Sequence, residues 1–338
     1  MTKPTTVAGR DYLWNEGWGA EGHHDGSSTG WAHHGLVVTA DDRVVTFSEE
    51  SPEVLILSSD GTLLDRWSVD GVEGHGLALT QDADGRDLLW ISDIGTKNRR
   101  VESGEYAPQP SAPLRGAVRV YTLAGELVRT IGAPALPVYR DGGDFCPAQV
   151  VVDEERFGGS GDIWVTDCYG QALVHRFTSD GGYVQTLSGE EGAGRFAHAH
   201  SLFIDRRGDR PELWVADRRN RRIQVFTLDG EYLRTFGEDF FSTPGGFAQL
   251  GDLVFVTELD ERIVVLDRDN APIDYIGSLA ERGPGWPNAL GADGLPVRPP
   301  LEEGRPHTPH AIAFGADGAI YLAEWMIGGR LVKLEPVT

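Results

Sequence analysis

Ser201-Leu-Phe-Ile-Asp205, Glu212-Leu-Trp-Val-Ala-Asp217, Arg222-Ile-Gln-Val-Phe226 and Tyr232-Leu-Arg-Thr-Phe236 are four short apolar runs separated by turn residues. Their period-2 alternation and their β-branched and aromatic content predict four strands. The order recurs at Gln149–Asp153, Asp162–Asp167, Leu173–Phe177 and Tyr183–Leu187, and again at Gly76–Leu79, Leu88–Asp93, Ala117–Tyr121 and Leu127–Ile131. Three more copies begin near His34, Gln249 and His310, the last with Ala319–Glu324 as its second strand. No stretch of 12 or more residues carries helical periodicity.

Six units of four antiparallel strands predict an all-β, six-bladed β-propeller, since radial repetition leaves only short, protected sheet edges. A linear array of the same sheets is the alternative. The whole chain then forms one domain, with blades at about 34–70, 75–132, 149–188, 200–237, 246–278 and 310–338. The last unit shows three strands, ending at Arg330–Leu334, so an N-terminal segment, residues 8–20 around Asp11–Trp14, is expected to supply the fourth and close the ring. Two insertions interrupt the pattern: residues 94–116, with Lys97, Arg99, Arg100 and Glu102, and residues 281–308, with six prolines. Such loops read as functional lids or as disordered segments.

Of the 338 residues, 44 are Gly and 19 Pro, a share of about 19% against about 12% in an average protein, as a turn-rich fold requires. The net charge of −22 repels phosphate backbones and anionic lipid, which argues against nucleic acid and membrane surfaces as partners. No apolar leader follows Met1 and no run of 18 apolar residues occurs, so a cytoplasmic location is expected. Cys146 and Cys168 are too few for a disulfide scaffold and lack the spacing of a zinc ribbon; one bridge between them stays open.

The residue just before the first strand of each unit is, in blade order, His34, His75, Gln149, His200, Gln249 and His310. First strands line the channel of a propeller, so these side chains are expected to converge on one axis. Three imidazoles and an open position suit a catalytic zinc, and His75, His200 and His310 fall in alternate blades. His34 is then either a fourth ligand or a polar neighbour of the substrate. Imidazoles also suit manganese and iron. His33, His198 and His307 cluster beside the ring, with His23 and His24 earlier in the chain, as substrate-channel or rim residues; His175, mid-strand, reads as structural. Asp93, Asp167, Asp217 and Glu324 end the second strands at equal register and read as turn-stabilising groups.

The stretch Glu212–Phe226, followed by Leu228-Asp-Gly-Glu-Tyr-Leu-Arg-Thr-Phe-Gly237, resembles the NHL repeat. A narrower resemblance is to the peptidyl-α-hydroxyglycine α-amidating lyases, six-bladed NHL propellers. It is carried by Gly74-His75-Gly-Leu-Ala-Leu with Trp90–Asp93, by Phe145-Cys-Pro147 with Asp167-Cys-Tyr-Gly170, by Ala199-His200-Ser-Leu with Ala216–Asn220, and by Pro309-His310-Ala-Ile. The resemblance implies zinc on His75, His200 and His310, a catalytic tyrosine at Tyr169, a substrate-positioning arginine at Arg218, and a Cys146–Cys168 disulfide. The chain departs from the family at three places. The first-blade arginine has no counterpart in Trp31-Ala-His-His-Gly35, Thr308 replaces a methionine, and Ala311 stands where the family places an acidic calcium ligand. The metal core carries over better than the pocket, and a structural calcium is not expected.

The histidine register predicts a metal-dependent enzyme, and the resemblance implies a lyase acting on a small hydroxylated molecule or a peptide end, breaking a carbon–nitrogen bond with release of glyoxylate. A metal-dependent hydrolase or eliminating lyase on a sugar acid or lactone is the second reading, and a non-catalytic propeller binding a partner is the third. A monomer or small homo-oligomer is expected.

Overall fold

The computed structural model describes residues 2–19, 29–110 and 116–337; His23 and His24 lie outside these. The chain is a six-bladed β-propeller, and among the described residues helix is confined to Pro137–Arg140 and single 3-10 turns. No described helix is long and apolar enough to cross a membrane. The chain divides into two compact units.

The first unit comprises residues 1–74, 96–110 and 247–338. It holds blade one, with strands Leu36–Val38, Val44–Phe47, Glu53–Leu57 and Leu63–Ser68, and blade five, with Pro244–Leu250, Leu253–Glu258, Arg262–Leu266 and Pro272–Gly277. Blade six contributes Pro309–Phe314, Ile320–Glu324 and Arg330–Pro336, completed by the N-terminal strand Arg10–Asn15, with Trp14 opposite Leu334. Thr2–Val7 adds a fifth strand beyond it. Trp14, fully buried, packs with Phe255, Ile263, Ile320 and Leu334. The two insertions fold as hairpins: Thr96–Arg100 pairs with Tyr106–Pro110, and Ala289–Leu290 with Pro296–Val297.

The second unit comprises residues 75–95 and 111–246. Blade two is built from Gly74–Gln81, Asp87–Asp93, Ala117–Thr122 and Leu127–Ile131; blade three from Gln149–Val152, Ile163–Asp167, Leu173–Phe177 and Tyr183–Leu187. Blade four runs Ala199–Asp205, Glu212–Asp217, Arg222–Thr227 and Tyr232–Phe236. Second strands are buried throughout, as Ile163–Asp167 shows, whereas fourth strands expose Val128, Tyr183, Val184 and Leu233. The outer edge of each blade faces water, which is why only the inner strands read as continuous apolar runs. In blade three the last two strands are joined at Gly181, whose φ of 91° suits a residue without a Cβ. Blade five puts Asn270 there at φ 65°, Asn being the side chain that best tolerates this region.

The blade-five boundary differs from the sequence expectation. Its first strand begins at Pro244, and Gln249 sits near the far end, exposed, donating to the Gly251 carbonyl at 2.8 Å. Counted from the strand start, the residue matching His200 is Gly245, which is buried. Pro-Gly-Gly lacks the β-branched signature of a strand, so sequence pattern alone sets the register four residues late, at Gln249 and not Gly245.

Candidate metal and substrate site

The carboxylates that end the second strands hold the segments that lead into the first strands, on which the ring histidines sit. Cys146, Ala197 and His307 each donate a backbone N–H, at 2.7 Å, to Asp167, Asp217 and Glu324 respectively. Ala197 and His307 each lie three residues before a ring histidine, His200 and His310. In four blades an arginine closes the same carboxylate: Arg119 on Asp93, Arg222 on Asp217, Arg262 on Glu258 and Arg330 on Glu324. In blade three the Tyr139 hydroxyl takes that place, donating to Asp167 at 2.6 Å and lying 2.7 Å from His175 Nε2. These acids and His175 are therefore structural, as the repeat register suggested.

In the second unit His75 and His200 are both 2% exposed and their rings stand 5.0 Å apart. The His75 Nδ1–H donates to the Ala148 carbonyl at 2.7 Å, which leaves Nε2 with its lone pair, and the Tyr169 hydroxyl approaches that nitrogen at 3.1 Å. His200 lies at a bulge: Ala199 opposes Asp217 and Leu202 opposes Val215, so blade four carries one extra residue here. Bulges re-aim side chains, and this one falls on a candidate ligand.

Arg218, 8% exposed, directs Nη2 to the Tyr169 hydroxyl at 3.5 Å and to His198 Nδ1 at 3.3 Å. Its Nη1 is buried without a hydrogen-bond partner among the described residues. Burial, then the charges of Arg218 and Arg219, push the His198 pKa down to about 4, so it is a neutral acceptor at pH 7. Gln149 is tied back to the Leu77 and Val150 carbonyls. Cys146 and Cys168 are free thiols, so the bridge left open by the sequence is not formed. Burial, reinforced by Asp167, raises both to about 12; the Arg218 charge opposes this at Cys168.

In the first unit His310, 4% exposed, donates Nδ1–H to the His34 carbonyl at 3.1 Å. It too sits at a bulge, as the extra residue between Pro309, opposite Glu324, and Ala311, opposite Ala323. The His33 ring lies 4.9 Å from that of His310. The His34 backbone carbonyl thus serves His310, and the ring of the neighbouring His33 lies beside that of His310. His307 is turned elsewhere. Its Nε2 donates to the Pro287 carbonyl at 2.7 Å, and it lines a cavity of about 310 Å³ with Glu261, Trp286, Asn288 and Arg305.

His75 and His200 in the second unit, and His33 and His310 in the first, are paired imidazoles of the kind that could take part in holding a metal ion, with ring centroids 5.0 and 4.9 Å apart within each pair. The donor set fits such an ion. Nδ1 of His75 and of His310 is committed to a backbone carbonyl, which fixes the tautomer whose Nε2 lone pair can ligate. Sequence reasoning missed Glu73 and Lys97, which lie behind His33. Lys97 stood out only as a charge in an insertion, and nothing local pairs it with Glu73.

No protein-family model matches the chain. It is 30% identical over 200 residues to NHL repeat-containing protein 3 of Mus musculus, covering 56% of this chain and 49% of that one, with the same figures for the protein of Homo sapiens. The chain thus matches about half the length of these curated relatives, and the likeness supports an NHL-type propeller. Among solved structures it is similar to a virginiamycin B lyase from Staphylococcus aureus (TM-score 0.54, 15% identity, 100% of this chain and 99% of that). It is similar also to a gluconolactonase from Xanthomonas campestris (TM-score 0.59, 16% identity, 99% and 95%). At these identities the likeness is one of fold.

Proposed function

We propose that this propeller is a metal-dependent lyase acting on a small hydroxylated substrate or a peptide end, in the manner of the amidating lyases it resembles. The observation that carries the reading is His75 and His200 in the second unit, buried with their rings 5.0 Å apart, the Nδ1 of His75 fixed by the Ala148 carbonyl and the Tyr169 hydroxyl 3.1 Å from its Nε2. His75, His200 and His310, with His33 in place of His34 as the fourth, would hold zinc, or manganese or iron. An ion held there supplies Lewis acidity, polarising a substrate hydroxyl or carbonyl oxygen.

The chain's own groups do the rest. Arg218, with Nη1 unpartnered beside Tyr169, pairs with the substrate carboxylate. Tyr169 takes the proton from the carbinol hydroxyl. The O–H electron pair becomes the new carbonyl bond, the carbon–nitrogen bond breaks, and its electrons leave on nitrogen, which takes up a proton. An amide and glyoxylate result. His198, held neutral next to Arg218, keeps that guanidinium facing the tyrosine.

Elemental analysis of protein purified without a histidine tag tests the metal. Near-stoichiometric metal, lost in His75→Ala and His200→Ala, is expected; protein that takes up none of zinc, manganese or iron overturns the reading and leaves a binding propeller. Glyoxylate release from hydroxyglycine peptides, falling about 10²- to 10⁴-fold in Tyr169→Phe, separates the lyase from a hydrolase. A lactone panel, suggested by the gluconolactonase among the fold neighbours, gives the competing outcome.

A further inference from the structure

Behind His33 lies a charge pair that the fold gains little from burying. Glu73 and Lys97 are each 2% exposed, and Lys97 Nζ donates to Glu73 Oε1 at 2.6 Å. Lys97 also donates to the Trp31 carbonyl at 3.1 Å. Desolvating two charges costs about as much as their attraction returns, so such a pair is weak evidence for a stabilising role. The second carboxylate oxygen of Glu73 faces His33, with Oε2 3.8 Å from Nδ1. His33 is 14% exposed in its side chain, and its ring lies tilted beside those of His310 and Trp325, with centroids 4.9 and 5.5 Å away.

We infer that Glu73 is a positioning residue that fixes His33 as the Nδ1–H tautomer, with Nε2 presented to the metal group, and that Lys97 locks Glu73 in place. His75 and His310 have backbone carbonyls for this purpose; His33 has a carboxylate. A carboxylate behind an imidazole fixes ring orientation and raises the basicity of the ligating nitrogen. Lys97 comes from the first strand of the 96–110 hairpin, so the insertion is what delivers the lock.

The metal consequence rests on the metal reading proposed above; the tautomer does not. The experiment therefore has two readouts. In metal-free protein labelled with ¹⁵N-histidine, long-range ¹H–¹⁵N correlation assigns the His33 tautomer, with His33→Gln identifying its signals. Chelator competition then measures the zinc Kd. Wild-type protein is expected to show Nδ1–H at His33. The charge-neutral Glu73→Leu/Lys97→Met protein, which leaves neither partner stranded, is expected to lose it, and Glu73→Gln to weaken zinc about 10- to 100-fold. Lys97→Arg, which keeps the cation, is expected to restore most of the affinity lost in Lys97→Met. A His33 tautomer unchanged in the folded double variant overturns the inference, as does Nε2–H in the wild type. A wild type with the expected tautomer but no zinc binding sinks the metal reading and leaves the Glu73–His33 arrangement standing.

Discussion

The carboxylate of Glu324, buried at the end of a second strand, accepts the backbone N–H of His307 at 2.7 Å, three residues before His310. Its other oxygen takes Arg330 Nε at 2.6 Å. Asp217 does the same with Ala197 and Arg222 in blade four. The acids thus join the second strands to the segments that lead into the histidine-bearing first strands.

Removing one acid should strand a buried arginine. Asp217→Ala leaves Arg222, 10% exposed in its side chain, without its main partner and frees the Ala197 N–H. A loss of about 3–5 kcal/mol is expected by urea denaturation. The paired change Asp217→Leu/Arg222→Met should recover part of it; a single-variant loss under about 1 kcal/mol would show that the acid does not hold the loop.

Stability should fall as pH drops from about 6.5 towards 4, and His175 is one cause. Burial lowers its pKa from 6.5 to about 4, so the folded chain refuses a proton that the unfolded chain accepts. The unfolded state then binds more protons, and about 3 kcal/mol is lost across that window. Asp167, raised by burial, takes up a proton earlier than usual in the same network and offsets part of this at the acid end. His175→Gln should start less stable at pH 7, having lost an imidazole bonded to Thr186 and Tyr139, and show a flatter curve. Parallel curves for the two proteins would contradict the assignment.

Both thiols should resist alkylation in the folded protein. With pKa values near 12 and Cys168 buried, almost no thiolate exists at pH 8. Iodoacetamide followed by intact mass is expected to show no adduct until denaturant is added, and reductant should leave the Tm unchanged. A Tm that falls with reductant would reveal the bridge implied by the family resemblance.

Closure of blade six should depend on Trp14. It is fully buried and lies on the strand that pairs with Arg330–Pro336, opposite Leu334, so Trp14→Ala should cost about 3–5 kcal/mol. Guanidinium unfolding reads this directly, with the exposed outer-strand change Val128→Ala as the comparison expected to cost well under 1 kcal/mol.

Much of the fold is legible in the chain because strands announce themselves locally. Glu212–Asp217 is an apolar run that ends in an acid, and the second strands of four other blades do likewise, so repetition supplies the blades before any contact is known. The same reasoning fails at Pro244-Gly-Gly, where a strand is made by its neighbours and not by its own residues. It places His75, His200 and His310 at one register, and it takes His34 where the structure presents His33.

What the sequence determined by itself was therefore periodic: four-strand units, their number, the N-terminal strand that completes the last one, and the register at which three histidines recur. Tertiary structure alone decided which side of the chain each group faces and what lies behind it. The bulges at His200 and His310 shift alternation by one residue, and a shift of one residue reverses the face a side chain presents. The Glu73–Lys97 pair brings together residues 24 apart, one of them on an inserted hairpin. Its partners are chosen by burial and charge, which have no period for a sequence to display.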